Sequence, residues 1–97
     1  MTTRDGAAAT DRLRRALLAF QAAQTSLLSA HRKAKALASP AEVERFWSTH
    51  GGRVEAGQRA AAAEVDAAFR VFSAAGLVAD AGDRHLVTEA RRHLAEG

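Results

Sequence analysis

The stretch RVEAGQRAAAAEVDAAFRVFSAA, from Arg53 to Ala75, carries two apolar stripes on one helix, and its reading decides the fold. Val54, Ala61, Val65, Ala68, Phe69, Phe72 and Ala75 recur at the spacing of one α-helical face. Ala56, Ala60, Ala63, Ala67, Val71 and Ala74 form a second stripe of mostly small side chains, and Glu55, Arg59, Asp66 and Arg70 hold the remaining face. A helix apolar over more than half its circumference has more than one side to bury. Because alanine lets a second helix approach closely, this helix is expected at the centre of a bundle or at a subunit interface.

Outward from it, nothing reads as a strand, since alternation is absent and β-branched residues are few and scattered. The fold class is therefore all-α, a single helical domain over residues 1–97. On the N-terminal side, Gly51-Gly52 is expected to break the chain, because glycine allows the positive φ values of a turn. Before that, Ser39-Pro40-Ala41-Glu42 forms a capping box with proline at the first helical position, which starts a short helix over 40–49 presenting Val43, Phe46 and Trp47. A long first helix over 10–38, capped by Thr10 or Asp11, places Leu13, Leu17, Phe20, Leu27, Leu28 and Ala34 on one face. Asp11 and Arg15 stand as an acid-before-base pair on it, and His31, Arg32, Lys33 and Lys35 lie where the helix dipole favours positive charge. On the C-terminal side Gly76 ends the two-striped helix. Asp80 or Asp83 starts a fourth helix over 83–95 that turns Leu86, Val87, Ala90 and Leu94 inward. The first helix is expected to pack as a hairpin on the larger stripe of the helix over 53–75.

Composition narrows the chemistry. With 97 residues, four Phe, one Trp and an apolar fraction of 47% carried largely by Ala, the core is thin and burial by a partner gains weight. The absence of Cys excludes disulfides and thiolate metal sites. No apolar run approaches a membrane span, and no signal-peptide core follows the first residues, so the expected location is the cytoplasm, or outside the cell by a route without a classical signal peptide. Arg outnumbers Lys twelve to two, which sets a pI near 10.6 although the net charge is only +3. Heavy Ala and Arg usage resembles that of proteins from high-GC bacterial genomes. Residues 1–38 carry +5 and residues 39–97 carry −2, so the two parts attract each other.

Several side chains invite a chemical reading. His85, Glu89 and His93 stand at steps of four on the last helix, a spacing that lets two of them share a metal ion; the competing reading, a solvated polar face, is preferred. Gln24 and His31 fall within the apolar face of the first helix and Glu64 lies between the two stripes of the third. Either His31 meets Glu64, or the Glu64 stem carries its carboxylate to water, and the second is expected. No nucleophile elbow or phosphate loop is present, and neither an enzyme nor a cofactor is expected. Arg12, Arg14, Arg15, Arg32, Lys33 and Lys35 could contact the phosphates of a nucleic acid. Against this, Glu55, Glu64 and Asp66 would meet a polyanion, and the Ala stripe offers nothing to base edges.

A chain of about this length with a long Ala-rich first helix, Trp47, Gly51-Gly52 and a second long amphipathic helix resembles the Trp-x-Gly helical-hairpin proteins of type VII secretion. In that family's pattern glycine follows Trp by two residues, where this chain has Thr49; the Tyr of its C-terminal export signal is missing, and His85-Leu-Val-Thr-Glu89 keeps only the spacing and the acid. The resemblance implies a secreted or secretion-associated protein that forms a four-helix homodimer or heterodimer. From the residues alone, the expected function is non-enzymatic association through helix packing. Phe46, Trp47, Ala56, Ala60, Ala63, Ala67, Val71 and Ala74 are the candidate interface, with a second copy or another small helical protein as partner.

Overall fold

The computed structural model describes residues 3–96, with side chains from residue 5 onward. Helix α1 (Thr3–Lys35) turns through residues 36–39 into α2 (Pro40–Phe46), which continues through a π-helical segment (Trp47–Gly51) into α3 (Gly52–Ala74), and a short connection leads to α4 (Ala81–Glu96). No strand occurs among the described residues. α1 packs antiparallel on α3, and α4 returns along both, so that α3 is the central helix of the bundle. The molecule measures 57 × 21 × 19 Å.

The helix ends follow side-chain chemistry closely. Ser39 Oγ accepts from the Glu42 amide (3.3 Å), a donor that the helix start leaves open, while Glu42 Oε2 reaches back past the cap and accepts from the Ala38 amide (3.0 Å) in place of the Ser39 amide that the capping box would use. Gly76 adopts φ 80° and ends α3, with its own amide bonded to the Ser73 carbonyl (2.9 Å) and the Leu77 amide to the Phe72 carbonyl (3.4 Å), the paired bonds of a Schellman turn. Asp80 is the cap of α4, its Oδ1 accepting from the Asp83 amide at 2.8 Å.

The structure differs from the sequence reading at both ends of α1 and at the glycine pair. α1 already includes Thr3, so Thr10 and Asp11 are interior residues; the Thr10 hydroxyl donates back to the Gly6 carbonyl (2.8 Å) instead of capping anything. The helix also stops at Lys35 and not Ala38. More consequentially, Gly51 and Gly52 do not break the chain: both hold right-handed helical angles, φ −62° and −61°, and Pro40 to Ala74 is one continuous run. Positive φ is permitted to glycine but not required of it. What Gly51 supplies is the missing Cβ, because a methyl there would collide with the Trp47 ring lying over it. The tightness is local to one π-helical turn, in which the Gly52 amide bonds to the Trp47 carbonyl five residues back.

The core gathers where all three long helices meet. Leu13, Leu17 and Phe20 of α1, Ala62, Val65, Ala68 and Phe72 of α3, and Val87 and Ala90 of α4 are buried together, with Leu86 and Leu94 partly covered against them. Gln58 lies in line with the larger stripe and is buried with it, and Ala62, just outside that stripe, is buried because α4 covers the arc beside it. Leu28, expected on the inner face of α1, is instead 59% exposed. Gln24 bonds to Glu89 at the middle of α4 and shares a cleft with Arg92, His93 and Glu96 of its last turns, beyond which α1 continues with the opposite arm of the hairpin beside it.

Candidate interaction surfaces

Apolar residues of α2 and the π segment are not placed in a core; none of α2 is buried, and of the π segment only Gly51 is. Trp47 instead packs its indole on His31 of α1, ring centroids 4.9 Å apart, and meets Phe46 edge-on at 5.4 Å; Phe46 also contacts His50 at 5.5 Å. This aromatic group, with the Trp47 ring seated over Gly51, fastens the two arms of the hairpin where large aliphatic side chains are scarce.

The six small residues of the predicted interface lie together along α3. Ala56, Ala60, Ala63, Val71 and Ala74 are exposed and Ala67 is half-buried. α1 and α4 take neighbouring arcs of the same helix, so neither covers this one. Its flanks are fixed by ion pairs. Arg12 of α1 donates to Glu64 Oε1 at 2.6 Å, and Arg91 of α4 donates to Asp66 Oδ1 at 2.7 Å while Arg70 reaches Asp66 Oδ2 at 3.1 Å. The Arg12 hydrogen bond holds the Glu64 carboxyl below its ordinary range. Asp66 is lowered likewise, chiefly by its bond from Arg91. Arg91 also lies over the Phe69 ring, 5.1 Å from its centre, which ties α4 to α3 by two contacts at one residue.

Glu64 thus meets Arg12, and the contact with His31 weighed as one alternative does not form; the carboxylate sits at the surface. His31 is exposed and stacked on Trp47. Glu89 accepts from Gln24 (3.2 Å) and pairs with His85 (3.1 Å). Among the described residues no group of three or more His, Cys, Asp or Glu side chains is arranged to hold a metal ion, His85, Glu89 and His93 included. The cations of the nucleic-acid alternative divide: Arg12 and Arg15 are engaged with Glu64 and Asp11, whereas Arg14, Arg32, Lys33 and Lys35 are exposed. No helix among the described residues is long and apolar enough to cross a membrane.

The residue that sequence reasoning missed is Gln58. It is the buried polar residue of the bundle, 6% exposed, and its Oε1 has no hydrogen-bond partner among the described residues. The signal was present in the sequence, since Gln58 stands four residues before Ala62 and seven before Val65 on the buried face, but an amide in an Ala-rich helix reads as surface. The chain matches no family model, no curated protein and no solved structure.

Proposed function

We propose that this protein is a non-enzymatic association module that works by helix packing, with the exposed small-residue line of α3 as its principal contact. The observation that carries this reading is that Ala56, Ala60, Ala63, Val71 and Ala74 stand exposed in register along the central helix while α1 and α4 occupy the other apolar arcs. Small side chains bring a partner helix close and lose little side-chain entropy on docking. Phe46 and Trp47, half-buried and adjoining the same continuous helix, are the aromatic anchors of the interface. The hairpin of two long antiparallel helices supports the further reading of a type VII secretion-like protein, exported or secretion-associated and pairing as a four-helix dimer.

Light scattering on Ala63→Leu and Ala67→Glu tests the stripe: both variants dissociate the complex while retaining helicity. An unchanged oligomer in both removes α3 from the interface. The second reading, a basic nucleic-acid-binding protein, is favoured by one feature: residues 12–41 hold six cations and no acid. It requires copurifying material absorbing at 260 nm and binding that weakens steeply with salt.

A further inference from the structure

The groove that α4 fills between α1 and α3 does not end where α4 ends. Phe20, Gln24 and Gln58 surround the last turn of α4, where Arg92, His93 and Glu96 complete the wall. Past that point the same cleft runs on with a volume of about 520 Å³, lined by Leu27, Leu28, Gln24, His31 and Gln58 among others. Three observations say what it takes. Leu28 is 59% exposed and Leu27 half-exposed, so the floor is apolar and uncovered. Gln58 is 94% buried at the junction of the two stretches with an acceptor, Oε1, that no group in the described residues satisfies. A buried acceptor of this kind is costly until a donor reaches it. Finally, the α1 side is positive: no acid occurs between Asp11 and Glu42, and Arg32 and Lys35 stand exposed next to His31 at the rim of the groove, outside its immediate lining, while on α3 Glu55 and Arg59 offset each other.

We propose that this groove receives a short acidic amphipathic α-helix of a partner protein, lying in line with α4 as a third helix beside the stretch of hairpin that α4 leaves uncovered. Its leucine-type side chains would cover Leu27 and Leu28, one hydroxyl or amide donor in its apolar stripe would reach Gln58 Oε1 once a half-turn of that amide brings the enclosed oxygen to the groove, and its carboxylates would face Arg32, Lys35 and His31. The uncovered part of α1 from Thr25 to Lys35 is about 16 Å long and matches about three turns of helix. A second copy of this chain would bring its own basic residues against that wall. A nucleic acid would satisfy the charge but leave the leucine floor exposed. The inference rests on the reading of the protein as an association module but uses a surface other than the alanine line.

The test titrates the full chain with two capped synthetic helices of about twelve residues. Both have leucines at i, i+3 and i+7 and one serine in that stripe; the remaining positions are Glu in one and Lys in the other. The readout is the emission of Trp47, the single Trp of the chain, which stacks on His31 at the groove wall. The Glu helix gives a saturable change and the Lys helix does not, and Leu28→Glu weakens the Glu helix at least about tenfold. Gln58→Met, which removes the orphaned acceptor at nearly constant volume, raises the melting temperature of the free chain yet weakens the helix about fivefold, opposite signs that a purely structural role would not produce. Three results overturn the proposal: no saturation by the Glu helix up to about 1 mM, equal binding of both helices, or a free chain that is dimeric and becomes monomeric in Leu28→Glu. An oligonucleotide that competes fully with the Glu helix overturns it as well. Because Ala63→Leu and Ala67→Glu act on the other face, they leave peptide binding intact, and failure of the stripe is separable from failure of the groove.

Discussion

Where α1 from Ala9 to Gln24 lies against the second half of α3, the hairpin bears α4 as a third helix, and between Thr25 and Val54 it does not. In the first region Phe20 and Val65 are fully enclosed and Leu13, Leu17 and Val87 are nearly so. In the second the residues buried are Ala30, Ala34 and Gly51, none with much surface to remove from water, while Leu27, Phe46, Trp47 and Val54 stay half-exposed and Leu28 more so. A two-helix ribbon cannot enclose a large side chain, because each helix offers only one wall. The thin half is held instead by contacts that work between two surfaces: aromatic faces laid together, and a backbone approach made close by an absent Cβ. Burial stabilises one region and local fit the other, so the thin half has room left for a partner.

The contrast is broken most directly by truncation. Phe20→Ala is expected to cost about 3–5 kcal/mol in urea unfolding, whereas Leu28→Ala stays within about 0.5 kcal/mol. Comparable losses at the two sites would mean that the thin half is as well packed as the thick one. Next in size is Gly51→Ala. Helix propensity favours alanine by about 1 kcal/mol, but the methyl must push the Trp47 ring off its seat, and the net result is a loss of about 1–2 kcal/mol with a changed Trp emission. A stabilised protein with unaltered emission would dismiss the Trp-over-glycine contact as the fastening of the thin half.

The thick half has an electrostatic seam to set beside it. Asp66→Asn is expected to lower stability at neutral pH by about 1 kcal/mol, discounted because its arginine partners are exposed. Since the folded carboxyl of Asp66 titrates below the unfolded one, its contribution is complete above the ordinary aspartate range and disappears as pH falls through the folded value. Acid titration of the melting temperature should therefore be shallower in the Asn variant, and parallel curves would refute the assignment. The smallest effect is a gain. Gly57 lies within α3, and apart from its chain neighbours and the adjacent helix backbone nothing comes within 4 Å of where its Cβ would be, so Gly57→Ala should add about 0.5–1 kcal/mol without altering Trp emission. Opposite signs at Gly51 and Gly57, two glycines of one continuous helix, would isolate ring contact from propensity.

Much of this architecture could be read from the chain. The larger stripe of α3 is the buried one in Val65, Ala68 and Phe72; the inward face of α4 falls on Val87 and Ala90; Gly76 ends α3, and Ser39 starts α2, as their neighbours require. These are local matters of spacing and of unsatisfied amides next to suitable side chains, and a sequence contains them whole. The glycine pair misled for the converse reason. Conformational freedom is a property of Gly51 alone, but whether it is used for a turn or for a close approach depends on Trp47, and the indole's place over it depends on His31 across the hairpin.

The candidate surfaces divide in the same way. Periodicity sufficed to group Ala56, Ala60, Ala63, Ala67, Val71 and Ala74 on one face and to expect a bundle of helices. Only the tertiary structure decided that α4 takes the neighbouring arc and leaves this one in solvent, that Glu64 goes to Arg12, and that Gln58 is shut in without a partner. Helical spacing fixes which side chains share a face, because the backbone repeat is nearly constant. It cannot fix which face is covered, because that depends on where a helix from elsewhere in the chain begins, how it is aimed, and how soon it stops.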